Sequence, residues 1–178
     1  GKIPQRFGNA HAQVVPYEVF PTSDGHIILA VGNDSQFASF CQAAGCAELA
    51  QEPRFKTMSQ RIVHRAELIP LIAEIMRTRP KQEWIETLEA ANVPCGPINN
   101  MKEVFEDPQV RHRGLRIDMP HPLGGHAPVV ASPMRLSATP VEYRHAPPLL
   151  GQHNEDIYRG LLGQSAAELA RLRQAGIG

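Results

Sequence analysis

At 178 residues, with 42% apolar and 20% charged side chains, the chain is long enough to bury a core as one domain or as a domain with an appendage. Eighteen basic and eighteen acidic residues cancel, so there is no electrostatic footprint for nucleic acid or an anionic membrane, and neither is expected as a partner. No apolar run approaches the roughly 20 residues of a membrane span. No basic-plus-apolar leader argues for secretion. The odd set Cys41, Cys46 and Cys95 suits a reducing cytoplasm better than a disulfide framework. The first residue is Gly1 rather than Met, as expected of a processed chain, a cloned piece or a proteolytic fragment.

Residues 1–13 are polar and read as a loop or linker. Residues 14–20 and 26–31 are rich in β-branched side chains, and Thr22-Ser23-Asp24-Gly25 between them is a turn signal; together they predict an antiparallel hairpin. Asn33 or Asp34 then caps a helix over 35–44, with Phe37, Phe40, Cys41 and Ala44 on one face and Gly45 as its stop. Pro53-Arg54-Phe55 lies in a connecting loop. Residues 59–79 repeat Ile62, Leu68, Leu71, Ile72, Ile75 and Met76 near helical spacing, and Pro70 predicts a kink or break within 64–69.

A second helix is expected to start with Pro80 at its first position and to carry Trp84, Ile85, Leu88 and Ala91 inward. Two prolines hold 93–98 extended. Asn99 or Asn100 caps a short helix over 101–106, and Pro108 opens another turn to about Arg113. Residues 115–119 and 127–131 alternate like a pair of strands, and 132–150 are extended because prolines crowd there. Helices over 154–162 and 165–175 close the chain. The second has a capping-box pattern, Ser165 with Glu168. Their stripe of Leu161, Leu162, Leu169 and Leu172 needs a surface to pack on.

The fold class is α+β. A small domain with an antiparallel hairpin and several helices covers 14–119. An extended proline-rich segment and a helical tail cover 120–178. Cys95 sits between prolines with no adjacent base or cation, so a rigid turn is expected there rather than a nucleophile. The spacing of Cys41 and Cys46 makes no zinc knuckle, and His121, His126, His145 and His153 form no metal set; no metal site is expected.

An ordered set of short motifs runs through nearly the whole chain: Pro16-Tyr17 with Phe20, Ala30-Val31-Gly32-Asn33-Asp34, Pro53-Arg54-Phe55, Val93-Pro94-Cys95-Gly96-Pro97, Asp107-Pro108-Gln109 and Leu150-Gly151-Gln152-His153. The set resembles the C-terminal portion of the class III CoA-transferases, the family of formyl-CoA transferase and carnitine CoA-transferase. The resemblance implies CoA exchange between a thioester and a carboxylic acid, through an aspartyl mixed anhydride and an aspartyl-CoA thioester. It implies no bound cofactor beyond coenzyme A as substrate, and a homodimer of interlocked subunits. The family's nucleophilic aspartate lies upstream of Gly1, so no catalytic residue is expected in this chain, and the isolated chain is expected to be inactive. Residues 120–178 resemble an arm that returns to the large domain.

In formyl-CoA transferase a glycine-rich loop follows a Gly-Asn pair. Here Gly8-Asn9 is followed by Ala10-His11-Ala12-Gln13. The resemblance thus makes Gly8, Asn9, His11 and Gln13 candidates for lining the acyl pocket, on a stiffer loop; an exposed loop histidine is the other reading of His11. A 2-methylacyl-CoA racemase branch of the same fold carries an active-site glutamate just after the second hairpin strand, where this chain has Asn33 and Asp34. Those two suit an N-cap better than a proton shuttle, so the transferase is preferred, with the racemase and a non-catalytic binding or oligomerisation module as alternatives. Arg54 either pins its loop or contacts CoA. Arg111 and Arg113 either meet CoA phosphates or end a solvated helix.

Overall fold

The structure is a computed structural model that describes Ile3 and residues 6–177. Part of the loop expected over residues 1–13 therefore lies outside the described residues. The chain divides into two compact units, Gly1–Asn99 and Asn100–Gly178.

The first unit is built on a three-stranded antiparallel sheet in the order β1-β2-β3: β1 Tyr17–Pro21, β2 His26–Ala30 and β3 Cys95–Pro97. The expected hairpin is present, with Tyr17 opposite Ala30 and Pro21 opposite His26. Its turn closes through the Thr22 N–H on the Gly25 carbonyl at 2.9 Å. The third strand was expected only as extended chain. Its pairing with β2 is a long-range event that no local pattern announces.

Helix α1, Asp34–Ala43, is capped by Asn33, whose side chain accepts the Gln36 N–H at 2.9 Å. A single 3-10 turn over Ala47–Ala50, absent from the sequence reading, leads to the loop around Phe55. The long helical pattern then splits into α2, Met58–Val63, and α3, Arg65–Met76, at His64. The break falls at the first residue of the expected window. Pro70 stays inside α3, because a proline there removes one ladder bond without stopping the helix.

The break resets the helical phase, and not every apolar residue at helical spacing is buried. Ile62 is 37% exposed and Leu71 45% exposed, while Leu68, Ile72, Met76 and Arg61 are buried. Helix α4, Lys81–Ala90, starts one residue later than expected: Pro80 is its N-cap at ψ 156°. Trp84 and Leu88 point inward as expected, and Trp84 Nε1 donates to the Met76 carbonyl at 2.7 Å. The core of this unit runs from Val15 to Val93 and includes Phe20, Phe37, Phe40, Ile72 and Trp84.

The second unit begins with α5, Met101–Glu106, and α6, Pro108–His112. Asn100 and Glu103 form a complete capping box on α5. Asp107 caps α6 by accepting the N–H groups of Gln109 and Val110 at 2.8 and 3.1 Å. Strands β4, Arg116–Pro120, and β5, His126–Val130, pair antiparallel. A boundary between 119 and 120 would cut this hairpin, which lies wholly in the second unit.

Residues 131–148 form no helix or strand, in keeping with their prolines. The first tail helix is a π-helix, Glu155–Leu161, not an α-helix. Helix α7 spans Ala166–Gln174. Its capping box is half-formed: Ser165 accepts the Glu168 N–H at 3.1 Å, but the Glu168 carboxylate turns to Arg171 at 2.7 Å. Among the described residues of this unit only Met119, Ala131 and Leu169 are buried hydrophobics.

Candidate functional site

The segment before β1 is fixed by residues expected as candidates for lining the acyl pocket. His11 N–H donates to the Tyr17 carbonyl at 2.9 Å, and Asn9 Oδ1 accepts the Val19 N–H at 2.8 Å. The arm thus lies along the free edge of β1 and satisfies it, half through backbone and half through an amide side chain. Gly8 takes φ +63°, the left-handed region in which a turn favours glycine.

Arg65 on α3 holds the arm from the other side. Its Nη2 donates to the carbonyls of His11 at 2.5 Å and Ala12 at 3.1 Å, and its guanidinium lies 5.2 Å from the Phe7 ring centroid. The His11 ring stacks on Tyr17 at 5.5 Å. His11 Nδ1 accepts the Gln13 N–H at 3.1 Å, which leaves the proton of the neutral ring on Nε2. Glu18 follows on β1. Burial pushes its carboxyl above the ordinary value, partly offset by the positive charge of Arg65. Neither Glu18 nor Arg65 stood out in the sequence; a carboxylate two residues before a core phenylalanine on a strand was the available signal.

Asn33 and Asp34 lie together at the start of α1, but each is committed. Asn33 is the cap. Asp34 Oδ1 accepts the Met58 N–H at 2.7 Å and Arg61 Nη2 at 2.9 Å. Arg61 is fully buried and also donates to the Val15 carbonyl at 2.7 Å and the Phe55 carbonyl at 2.9 Å, with its guanidinium 4.4 Å from the Phe37 ring centroid. Burial lowers its pKa, and the Asp34 carboxylate opposes that effect. One buried guanidinium therefore ties the segment leading into β1, α1, α2 and the Phe55 loop together. It is the unit's central polar post, hidden from periodicity because a charged residue reads as surface.

Arg54 is exposed and paired with both Glu52, at 3.0 Å, and Glu67. Glu67 also meets His64 Nδ1 at 2.8 Å, and its carboxyl is held below the usual range chiefly by that bond. Cys95 is partly buried, and burial with nearby Glu89 pushes its thiol above the usual value, the opposite of an activated thiolate. Cys41, Cys46 and Cys95 are all unpaired thiols.

The remaining candidates lie in the second unit. Arg113 Nη2 donates to the Pro133 carbonyl at 2.9 Å and, through its own carbonyl, accepts Arg135. Arg111 lines an open groove of about 870 Å³ with Met101, Phe105, Val110 and Leu115. His153 sits 3.5 Å from Asp156 and edge-on to His145. The structure thus gathers Gly8, Asn9, His11 and Gln13 in one arm. Asn33 and Asp34 stand at the start of α1 in the same unit, and Arg111 and Arg113 belong to the other unit. Among the described residues no group of three or more His, Cys, Asp or Glu is placed to hold a metal ion, and no helix is long and apolar enough to cross a membrane.

Every aspartate has a structural partner. Asp24 accepts Lys81 N–H and Thr22 Oγ1, Asp34 holds Arg61, Asp107 caps α6, Asp118 pairs with Arg116 at 3.1 Å, and Asp156 faces His153.

The chain is similar to human succinyl-CoA:glutarate CoA-transferase, 38% identical over 99% of this chain and 40% of that protein. It is 41% identical to succinate--glutarate CoA-transferase of Agrobacterium fabrum, over 88% of this chain and 39% of the other. A formyl-CoA:oxalate CoA-transferase of Streptomyces coelicolor is 41% identical over 75% and 32% respectively. The chain spans about 40% of the length of the first two of these relatives. The crystal structure of a CAIB/BAIF family protein from Brucella suis superposes with a TM-score of 0.76 at 38% identity, over 90% of this chain and 41% of that one. The family model for CoA-transferase family III matches residues 1–154, and the chain belongs to that family.

Proposed function

We propose that this chain is the C-terminal portion of an acyl-CoA:carboxylate CoA-transferase whose nucleophilic aspartate lies outside these 178 residues. The family match over residues 1–154 carries the reading. The occupation of all five aspartates by caps and ion pairs supports placing the nucleophile elsewhere.

In the proposed reaction an aspartate carboxylate attacks the thioester carbonyl and CoA leaves as thiolate. The thiolate attacks the aspartyl carbonyl of the resulting anhydride, which releases the donor acid and leaves an aspartyl-CoA thioester. The acceptor carboxylate then takes its turn, and CoA leaves on the new acyl group. Water must be kept out, because it would hydrolyse the anhydride. The arm of Gly8, Asn9, His11 and Gln13 is suited to serve as a fixed wall of the acyl site, since Arg65 and the β1 edge hold it in place. Dicarboxylic acids of the succinate and glutarate kind are the proposed substrates, on the strength of the two relatives named for them.

The second unit is proposed to pack on a large domain and to contribute to a homodimer, which would cover Leu161 and Leu162, now 75% and 58% exposed. Three unpaired cysteines support a reducing, cytoplasmic setting. The commitment of Asn33 and Asp34 to structural bonds supports a transferase over a racemase.

The first experiment is to sequence the coding DNA upstream of Gly1 and assay the complete product with succinyl-CoA and glutarate. An in-frame large domain with an aspartate essential for transfer is expected, while the 178-residue chain alone is inactive. Transfer by the isolated chain, or α-proton exchange into deuterated water without transfer by the complete protein, overturns the reading.

A further inference from the structure

Helix α1 ends in a Schellman motif. The Cys46 N–H donates to the Cys41 carbonyl at 2.8 Å, and the Gly45 N–H donates to the Gln42 carbonyl at 3.3 Å. Gly45 makes the reversal at φ +73°. The motif brings one side chain of the last helical turn against one just past the helix, and here both are cysteines. A carbonyl-to-amide bond of 2.8 Å leaves their Cα atoms no more than about 6.7 Å apart. That falls within the roughly 4.4–6.8 Å that a disulfide spans. The two thiols are hydrogen-bonded to each other, with Cys41 0% and Cys46 4% exposed. Any two small apolar side chains would complete the motif's packing. Two sulfurs in contact add a chemistry that packing does not require.

We propose that Cys41 and Cys46 form a reversible dithiol–disulfide pair, oxidised by small disulfides of the glutathione class. Cys46 is the attacking group. The Cys41 S–H donates to the Cys46 sulfur, which lowers the Cys46 pKa and holds the proton on Cys41. Cys46 is followed directly by the 3-10 turn Ala47–Ala50, whose Leu49 N–H bonds to the Cys46 carbonyl at 3.0 Å. Ala47 and Glu48 are exposed, so opening this one turn uncovers Cys46 and leaves the rest of the core closed.

In the first step the Cys46 thiolate attacks one sulfur of oxidised glutathione. The glutathione S–S bond breaks, one glutathione leaves as thiolate and takes up a proton, and Cys46 is left in a mixed disulfide. Cys41 then gives its proton to solvent and attacks the Cys46 sulfur, which expels the second glutathione. The dithiol loses two electrons, and one disulfide becomes two thiols. A pair of this kind suits a reducing compartment, where disulfides are transient and report on oxidants. The bridge would fix the end of the helix whose first residue, Asp34, holds Arg61. The inference is independent of the catalytic reading.

The 178-residue chain is equilibrated in glutathione buffers of rising oxidised fraction, quenched with an alkylating agent and peptide-mapped by mass spectrometry. A bridge between Cys41 and Cys46 is expected, with Cys95 still free. Cys41→Ser is expected to stop at a glutathione adduct on Cys46, and Cys46→Ser to leave Cys41 unmodified. A glutathione adduct forming as fast on Cys41 of the second variant overturns the order of attack. The wild-type chain supplies a reading that needs no variant. The effective concentration of the two thiols, from the same titration, should be about tenfold or more higher in native buffer than in concentrated urea. Thiols that stay free in oxidised glutathione, or a bridge that forms only in urea, make them two core cysteines only and overturn the proposal.

Discussion

Asp24 Oδ1 accepts the backbone N–H of Lys81 at 2.7 Å, from a position 57 residues earlier in the chain. The hairpin turn thereby caps helix α4, whose own N-cap residue, Pro80, has no side chain able to accept a hydrogen bond. The Ser23 N–H adds a bond to the Arg79 carbonyl at 3.0 Å. The Thr-Ser-Asp-Gly motif that reads as a turn is also a clamp.

This clamp titrates. The Asp24 carboxyl is held below its ordinary value chiefly by the Lys81 N–H, so its folded-state pKa is depressed. Its contribution to stability is complete above the unfolded pKa, near about pH 4, and is lost as pH falls through the lower folded value. Asp24→Ala should lower the melting temperature by a few degrees at neutral pH. Asp24→Asn, which keeps an acceptor, should lose less there and show a shallower stability loss in acid. Thermal melts from pH 7 downward check both.

Arg61 is expected to be the most sensitive polar position. Arg61→Ala leaves the Val15 and Phe55 carbonyls and the Asp34 carboxylate without their donor, a loss of about 3–5 kcal/mol of the kind seen when one partner of a buried pair is removed. Arg61→Lys should recover little, because one ammonium cannot reach three diverging acceptors. Urea unfolding of both variants measures this, and a loss under about 1 kcal/mol contradicts the post.

The break at His64 sets which apolar residues matter. Leu68→Ala should cost about 2–5 kcal/mol, and Ile62→Ala about 1 kcal/mol or less, although both fit the same sequence stripe. The reverse order in denaturant midpoints would mean one continuous helix.

Arg65→Ala should release the arm, since both carbonyl bonds and the Phe7 contact go at once. Amide exchange at His11 should accelerate by about tenfold or more while the Leu68 and Trp84 amides keep their protection. Arg65→Lys should restore part of it.

Cys95 should react sluggishly with a thiol probe near neutral pH, and its rate should rise only at pH above the ordinary thiol range, because its pKa is raised. Cys95→Ser is expected to leave the fold intact.

Local chemistry was legible in the sequence. The hairpin, a cap at Asn33 or Asp34 and at Asn99 or Asn100, the turn opened by Pro108 and the inward face of Trp84 and Leu88 follow from residues within a few positions of each other. What escaped was joined at long range. The pairing of β3 with β2, the burial of Arg61 and the cap on α4 each depend on a partner tens of residues away, and no periodicity encodes a partner. Where two outcomes shared one pattern, as at Ser165 and Glu168, competition from Arg171 decided it. The segment that carries Gly8, Asn9, His11 and Gln13 was legible as a loop, and its fixing by Arg65 and the β1 edge was not.

The contrast between the two units has a consequence for synthesis on the ribosome. Residues 1–99 hold a continuous apolar core from Val15 to Val93, and they emerge before residues 100–178. That unit is able to collapse and close its clamp before the rest of the chain is made. The later residues emerge with Leu150 fully bare and Leu123 77% exposed. The interval in which residues 100–178 emerge is therefore the one in which nascent chains are prone to stick to one another, and chaperone demand should concentrate there.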